Sequence, residues 1–123
     1  MATRELPVLV SGGASGLGAA IAAELRKGGE TVVVFDRTPP LDDPDAVRVD
    51  LADTAAAEAR VREVAARCGG LSALVTAAGT DACGALDEVP REAWERVVAV
   101  NLLGTAALVR AALALGEPSR GHA

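Results

Sequence analysis

Short apolar runs alternate with longer segments of helical periodicity along the 123 residues of the chain. Strand-length apolar runs occupy residues 7–11, 31–36, 46–51 and 71–78. Segments with apolar residues at helical spacing occupy residues 16–27, 53–67 and 90–115. Strands that alternate with helices form a parallel sheet through right-handed crossovers, so the pattern predicts an α/β fold with a doubly wound sheet. The length suits one domain over residues 1–123.

The spacing of apolar residues also predicts which helix faces are buried. In the first helix the predicted face carries Leu17, Ile21 and Leu25. In the third helix two apolar stripes are present. We expect the first stripe to face the core, and its members are Trp94, Val97, Val98, Asn101, Thr105, Leu108 and Ala112. The second, away from Trp94, consists of Val100, Leu103, Ala107 and Ala111. Because Asn101 interrupts the first stripe, we expect it to be buried and to need hydrogen-bond partners.

Helix boundaries carry their own signals. Asp53 can cap the second helix, and Pro90 suits the first turn of the third. Glu58 and Arg62 have the spacing of an i,i+4 ion pair on the second helix.

The segment SGGASGLG, residues 11–18, joins the first strand to the first helix. A diphosphate binds to free backbone N–H groups at a helix N-terminus, and glycine lets it approach the backbone closely. Asp36 ends the second strand 20 residues after Gly16, where a carboxylate can accept hydrogen bonds from a ribose. The alternatives are a merely tight turn and a loop-capping Asp36. Turn, strand context and acid together favour a dinucleotide site.

Composition excludes several classes of function. A net charge of −5 without a basic face argues against nucleic-acid binding. No basic signal peptide precedes the first strand, and we expect no stretch of the roughly 18 apolar residues that a membrane span needs. Cys68 and Cys83 have no pairing or metal-binding pattern and His122 is the only histidine, so we expect no metal site and a cytoplasmic protein.

The glycine spacing is G-x-x-x-G-x-G, formed by Gly12, Gly16 and Gly18. With the preceding Ser11 it resembles the short-chain dehydrogenase/reductase family. Three later stretches match the same family in order: Asp50-Leu51 after the third strand, TAAG at 76–79 after the fourth, and VNLLGT at 100–105. The resemblance runs from about residue 7 to residue 112.

This resemblance implies a Rossmann-type sheet of strand order 3-2-1-4 and a nicotinamide cofactor. It implies that Asp50 binds the adenine amino group and that Asn101 holds a water of the proton relay. The cofactor-binding residues that it implies are Gly12, Ser15, Gly16, Leu17, Gly18, Asp36, Arg37, Asp50, Leu51, Ala77, Ala78 and Gly79. NAD is expected over NADP because the Asp36 carboxylate would repel a 2′-phosphate, although Arg37 could accept one.

Two departures from the family pattern matter. Thr76 and Ala77 stand where the family carries two asparagines, and only Thr76 can replace part of their hydrogen bonding between strands. The chain contains no Tyr, whereas the family's catalytic Ser and Tyr-x-x-x-Lys follow the region that matches. We therefore expect the cofactor-binding half of such an enzyme, ending before a fifth strand and inactive by itself.

Three functions remain open: an NAD-dependent short-chain oxidoreductase acting on an alcohol or carbonyl, a non-catalytic dinucleotide-binding or partner-binding module, and an S-adenosylmethionine-binding fold. The glycine spacing, Asp50 and Asn101 argue against the third. An edge position for the fourth strand and the second stripe of the third helix predict a homo-oligomer, most simply a two-fold dimer. The alternative is a monomer whose polar tail, GEPSRGHA, covers that edge.

Overall fold

The computed structural model describes residues 5–116 of the chain. The expectations for the N-terminal signal region, His122 and the tail fall wholly or partly on residues 1–4 and 117–123, which lie outside the described residues. The elements follow the predicted order: β1 Val8–Ser11, α1 Gly16–Lys27, β2 Val32–Asp36, β3 Val47–Arg48, α2 Thr54–Cys68, β4 Ala73–Thr76, α3 Arg91–Val98, a π-helical segment Ala99–Gly104, and α4 Thr105–Ala114.

The four strands form one parallel sheet of order β3-β2-β1-β4. The prediction of a doubly wound α/β sheet with this order is confirmed. The strands are shorter than predicted, and β3 retains only two paired residues. Since β4 pairs only with β1 among the described residues, it lies at an edge of the sheet, as expected.

Apolar side chains cover both faces of the central strands. On one face Leu9 and Phe35 pack with residues of α2 and α4, including Val61 and Leu108. On the other face Val10 and Val34 pack around Ala22 of α1. Helices on both faces explain why β1 and β2 are continuous apolar runs and do not alternate.

Helix α1 faces the sheet only partly as predicted, since Leu25 of the predicted face packs against the core. Its buried residues are Gly18 and Ala22, whereas Leu17 is 72% exposed. Small residues on the buried side let the helix lie close to the sheet. Leu17 is therefore not a core residue.

The predicted helix caps are largely confirmed. Asp53 accepts a hydrogen bond from the Ala56 N–H at 3.0 Å, and Pro90 directly precedes α3. The predicted pair of Glu58 and Arg62 is present at 3.9 Å.

Helix α3, the π-helical segment and α4 run continuously from Arg91 to Ala114 and are called the long helix below. The predicted assignment of its faces is wrong for most residues, although Leu108 of the expected core stripe is fully buried. The buried residues are Val100, Gly104, Ala107, Leu108 and Ala111, which include three of the four members of the second stripe, expected to contact another copy of the chain. Trp94 and Val98, from the expected core stripe, are 38% and 42% exposed. A helix that is apolar nearly all round carries no periodic signal strong enough to select one face.

The long helix is also long and apolar enough to cross a membrane, with a mean hydropathy of 1.9 over 18 residues. The expectation that no stretch reaches this limit is wrong on length and composition. Such a helix is weak evidence for a span, because helices that pack against a protein core pass the same test. Here the helix packs against α2 and the sheet.

Candidate functional site: a cavity at the carboxyl ends of the strands

The glycine loop between β1 and α1 has a conformation that only glycine adopts readily. Gly12 and Gly16 have φ angles of 72° and 55°. A Cβ atom on Gly12 would lie 2.6 Å from the Cα of Ala78, so the loop could not approach β4 with a larger residue there. A Cβ on Gly16 would meet no atom within 4 Å, which leaves open space beside the start of the helix.

Helix α1 begins at Gly16 without a side-chain cap. Ser15, the residue before it, is extended and its side chain makes no capping hydrogen bond. The first N–H groups of a helix have no partner within the helix, and they carry the positive end of its dipole. The loop and α1 therefore present backbone donors at this edge of the sheet.

Asp36 connects the end of β2 to the glycine loop. Its Oδ2 accepts a hydrogen bond from the Ala14 N–H at 3.0 Å, and its Oδ1 accepts one from the Thr38 N–H at 2.9 Å. The loop-capping role weighed from the sequence is thus present. Arg37 follows Asp36 and is exposed. Both residues stand on the rim of the same cavity.

Ser11 joins the ends of two strands. It is 1% exposed, and its hydroxyl oxygen accepts hydrogen bonds from the N–H groups of Ala77 and Ala78 at 3.2 Å and 3.4 Å. The sequence predicts that Thr76 contributes here, but Thr76 is exposed and these bonds go to Ser11. The sequence signal for this role was its position: a polar residue that ends a buried apolar strand.

Asp50 forms an ion pair that the sequence analysis missed. Arg96 of α3 donates from Nη2 to Oδ1 of Asp50 at 3.1 Å and from Nη1 to Oδ2 at 3.3 Å. The Ala52 N–H also donates to Oδ1 at 3.0 Å. The hydrogen bond from Ala52, then that from Arg96, holds the pKa of Asp50 below its ordinary value, although partial burial opposes the change. The sequence signal for this ion pair was the position of Arg96. It is a basic residue next to Val97 and four positions before Val100, on the partly buried side of α3.

Asn101 lies in the π-helical segment and is exposed, so the prediction that it is buried is wrong. The prediction that it needs partners is correct. Its Nδ2 donates to the Thr80 carbonyl oxygen and its Oδ1 accepts from the Thr80 N–H, both at 2.8 Å. This pair of bonds holds the loop after β4 against the helix. π-Helical turns are frequent at functional sites.

One cavity of about 430 Å³ gathers most of these residues. Every predicted cofactor-binding residue lines it except Gly18, which is buried against the glycine loop, and Asn101 does not line it either. The lining residues that the sequence analysis did not single out are Phe35, Val49, Thr80, Arg96 and Val100. The cavity lies beyond the carboxyl ends of the strands, on both sides of β1, where the strand order reverses. Ligands of doubly wound sheets bind at this point.

Comparison with known proteins identifies the group to which this arrangement belongs. A profile described as short chain dehydrogenase matches residues 7–122. The chain belongs to the short-chain dehydrogenase/reductase family. The S-adenosylmethionine-binding alternative loses its support with this match.

Individual relatives of the chain are also dehydrogenases. The chain is 33% identical over 105 residues to 2-dehydro-3-deoxy-L-rhamnonate dehydrogenase (NAD(+)) from a Sphingomonas species, an alignment covering 78% of this chain and 42% of that protein. Ligand-free aldohexose dehydrogenase from Thermoplasma acidophilum superposes with a TM-score of 0.84 at 26% identity, over 90% of this chain and 44% of that one. A short-chain dehydrogenase from Burkholderia cenocepacia, solved with NADP, has a TM-score of 0.77 at 27% identity, over 91% and 52%. The chain spans less than half the length of the curated relatives it matches. One of the relatives above is named for NAD(+) and another was solved with NADP.

The residues of this cavity fit a dinucleotide. The open space at Gly16 offers room for a phosphate beside unpaired backbone donors. Asp36 and Asp50 place carboxylate acceptors on the rim for hydroxyl and amino donors.

Proposed function

We propose that this chain forms the NAD(H)-binding part of an NAD-dependent short-chain oxidoreductase that acts on an alcohol or carbonyl substrate. The observation that carries the proposal is the shared cavity, in which the uncapped N-terminus of α1 and two glycines of positive φ lie with Asp36 and Asp50. The family match supports the class of reaction.

Each part of the cavity has a role in this proposal. The glycine loop and the first turn of α1 hold the diphosphate, and Asp36 accepts hydrogen bonds from the adenosine ribose. Asp50 accepts from the adenine amino group, while the backbone from Ala77 to Gly79 lies beside the remainder of the cofactor. When bound, the cofactor supplies the hydride chemistry. Asn101 serves as a relay residue. Its side chain is held in place by the two hydrogen bonds with the Thr80 backbone.

The proposed preference is for NAD(H) over NADP(H). The Asp36 carboxylate is fixed at the rim by the Ala14 and Thr38 N–H groups, so it cannot turn away from a 2′-phosphate. Exposed Arg37 favours that phosphate.

Calorimetric titration of the 123-residue chain with NADH and NADPH tests this preference. NADH should bind at least about tenfold more tightly, since a close like-charge contact costs on the order of 1 kcal/mol or more. Asp36→Asn keeps an oxygen that can accept from Ala14 and should reduce the preference, whereas Arg37→Ala should weaken NADPH binding alone. Tighter binding of NADPH by the unaltered chain would refute the assignment.

A non-catalytic dinucleotide-binding module is the second candidate. The 123 residues contain no Tyr, so the proton donor that the resemblance implies is not among them. We assign no turnover to these residues by themselves. An open reading frame downstream that encodes Tyr-x-x-x-Lys would favour the enzyme over the module.

We also propose a cytoplasmic location and a homo-oligomer. The location is supported by Cys68 and Cys83, whose spacing has no pairing pattern, since disulfides are rare in reducing compartments. The long helix exposes Trp94, Val98 and Leu102, spaced by four residues along one side. Apolar residues so arranged suit the contact of two copies about a two-fold axis.

A further inference from the structure

The ion pair of Asp50 and Arg96 joins two distant parts of the chain at the proposed nucleotide cavity. The two residues are 46 positions apart, one just after β3 and the other on α3. Both line the cavity, and both are partly exposed, with 40% and 35% of their side-chain surface accessible. Since this contact faces a ligand cavity, it can affect what binds there.

The hydrogen-bond pattern of the pair is asymmetric. Oδ1 of Asp50 accepts from two donors, Ala52 N–H and Nη2 of Arg96, whereas Oδ2 accepts only from Nη1 of Arg96. A carboxylate has about four acceptor positions, so the free capacity lies mainly on Oδ2. Each terminal nitrogen of Arg96 gives one of its two N–H groups to Asp50. This two-point geometry fixes a carboxylate most firmly.

We propose that Arg96 is a positioning residue that sets the base specificity of the nucleotide site. By holding Asp50 at two points, it presents an acceptor and directs one N–H of each terminal nitrogen at that carboxylate and away from the base, which selects a purine carrying a 6-amino group over one carrying a 6-oxo group. This inference rests on the proposed function, because it requires a nucleotide base to lie against Asp50.

A change at either member of the pair lowers the preference for a 6-amino purine, but to a different extent. Without Arg96, the Asp50 side chain keeps only the Ala52 contact and can rotate into solvent, so the acceptor is no longer held in place. Without the Asp50 carboxylate, the terminal nitrogens of Arg96 are released and can donate to a 6-oxo group. Loss of Arg96 therefore weakens discrimination, and neutralisation of Asp50 reverses it.

The test is titration of the 123-residue chain with NADH and with reduced nicotinamide hypoxanthine dinucleotide, which differ at position 6 of the purine. The unaltered chain should prefer NADH by about tenfold, a value within the range of one well-placed base contact. Arg96→Met should lower this ratio to about twofold, and Arg96→Lys should restore part of it. Asp50→Asn should favour the hypoxanthine dinucleotide.

Arg110→Met is the matched control. Arg110 lies on the same long helix and pairs with Glu58 at 3.7 Å, but it does not line the cavity. This variant should retain the tenfold ratio. The ratio of the two affinities distinguishes a positioning role from general destabilisation, since partial unfolding weakens the binding of both dinucleotides equally. Circular dichroism at the titration temperature shows which variants are folded. If Arg96→Met does not fold, Asp50→Asn tests the same scheme.

The possible failures are distinguishable. If the unaltered chain binds neither dinucleotide, the proposed function is wrong and this inference falls with it. If it binds both equally, or if Arg96→Met and Asp50→Asn keep the preference for NADH, then the inference is wrong while dinucleotide binding stands.

Discussion

Asp50 is a residue whose ionisation depends on contacts made only in the folded chain. The Ala52 N–H and the Arg96 guanidinium both stabilise its charged form, and the nearby charges of Arg96 and Arg37 act in the same direction. Its pKa is therefore lowered from the ordinary value of 3.8. A group with a lowered folded-state pKa stabilises the fold above its ordinary pKa, and this contribution disappears as the pH falls through the folded-state value.

Arg96→Met should accordingly change the acid dependence of stability. In the unaltered chain, the contribution of Asp50 is complete at neutral pH and declines below about pH 4. In the variant, the Asp50 pKa lies closer to 3.8, because only the Ala52 bond remains, so the loss on acidification is smaller. Urea unfolding at pH 7 and pH 3 measures this difference, and Arg110→Met serves again as control. An unchanged difference between the two pH values would contradict it.

At the scale of elements, a glycine of the long helix determines how closely that helix packs against the segment that follows β3. Gly104, at the end of the π-helical segment, is buried against Leu51. A Cβ atom there would lie 2.6 Å from both the Cβ and the carbonyl oxygen of Leu51. Since Leu51 follows Asp50, this contact also places the adenine end of the proposed site.

Gly104→Ala should destabilise the chain by about 1–3 kcal/mol, the usual cost of overpacking, even though alanine favours helices. The clash is with backbone, which cannot move aside as a flexible side chain can. Urea denaturation measures the change. Gly28→Ala is the control: Gly28 has a φ of −79° and its added Cβ would approach only the Leu25 and Glu24 carbonyl oxygens, at 3.5 Å and 3.7 Å. Equal stability of Gly104→Ala and the unaltered chain would show that the helix shifts freely.

At the scale of the whole molecule, two apolar surfaces remain uncovered within residues 5–116. One is the side of the long helix that carries Trp94, Val98 and Leu102. The other is a groove of about 700 Å³ between α2, the start of β4 and α4, lined in part by Val109 and Leu113. Either surface could join two copies of the chain.

Leu102→Glu should dissociate a helix-mediated dimer, because Leu102 is 62% exposed and a buried unpaired carboxylate is costly. Light scattering after size exclusion at micromolar concentration gives the mass. Leu41→Glu, in a fully exposed loop position, should leave the mass unchanged. Ala107 is unsuitable for this test, since it is 5% exposed and belongs to the core.

The outcomes of this experiment separate the two surfaces. A dimer that survives Leu102→Glu would indicate pairing through the β4 edge, where an open strand invites another chain. A monomeric mass for the unaltered chain would refute the oligomer altogether.

The sequence by itself determined the architecture and most of the cavity. Alternating apolar strands and periodic helices predict a parallel sheet, and the crossover rule with the family resemblance leads to its order. The glycine loop and Asp36 follow from local signals, since each lies at a strand end and all parallel strands end at one edge. The place of Asp50 in the site follows from the family resemblance.

Only the tertiary structure decided which faces and partners these residues use. The long helix is apolar on most sides, so its own pattern could not show that Ala107 is buried and Trp94 is half exposed. The contacts of Arg96 with Asp50 and of Asn101 with Thr80 join residues 46 and 21 positions apart. Such contacts depend on the orientation in which the helix packs on the sheet, and that orientation results from the packing of the whole core.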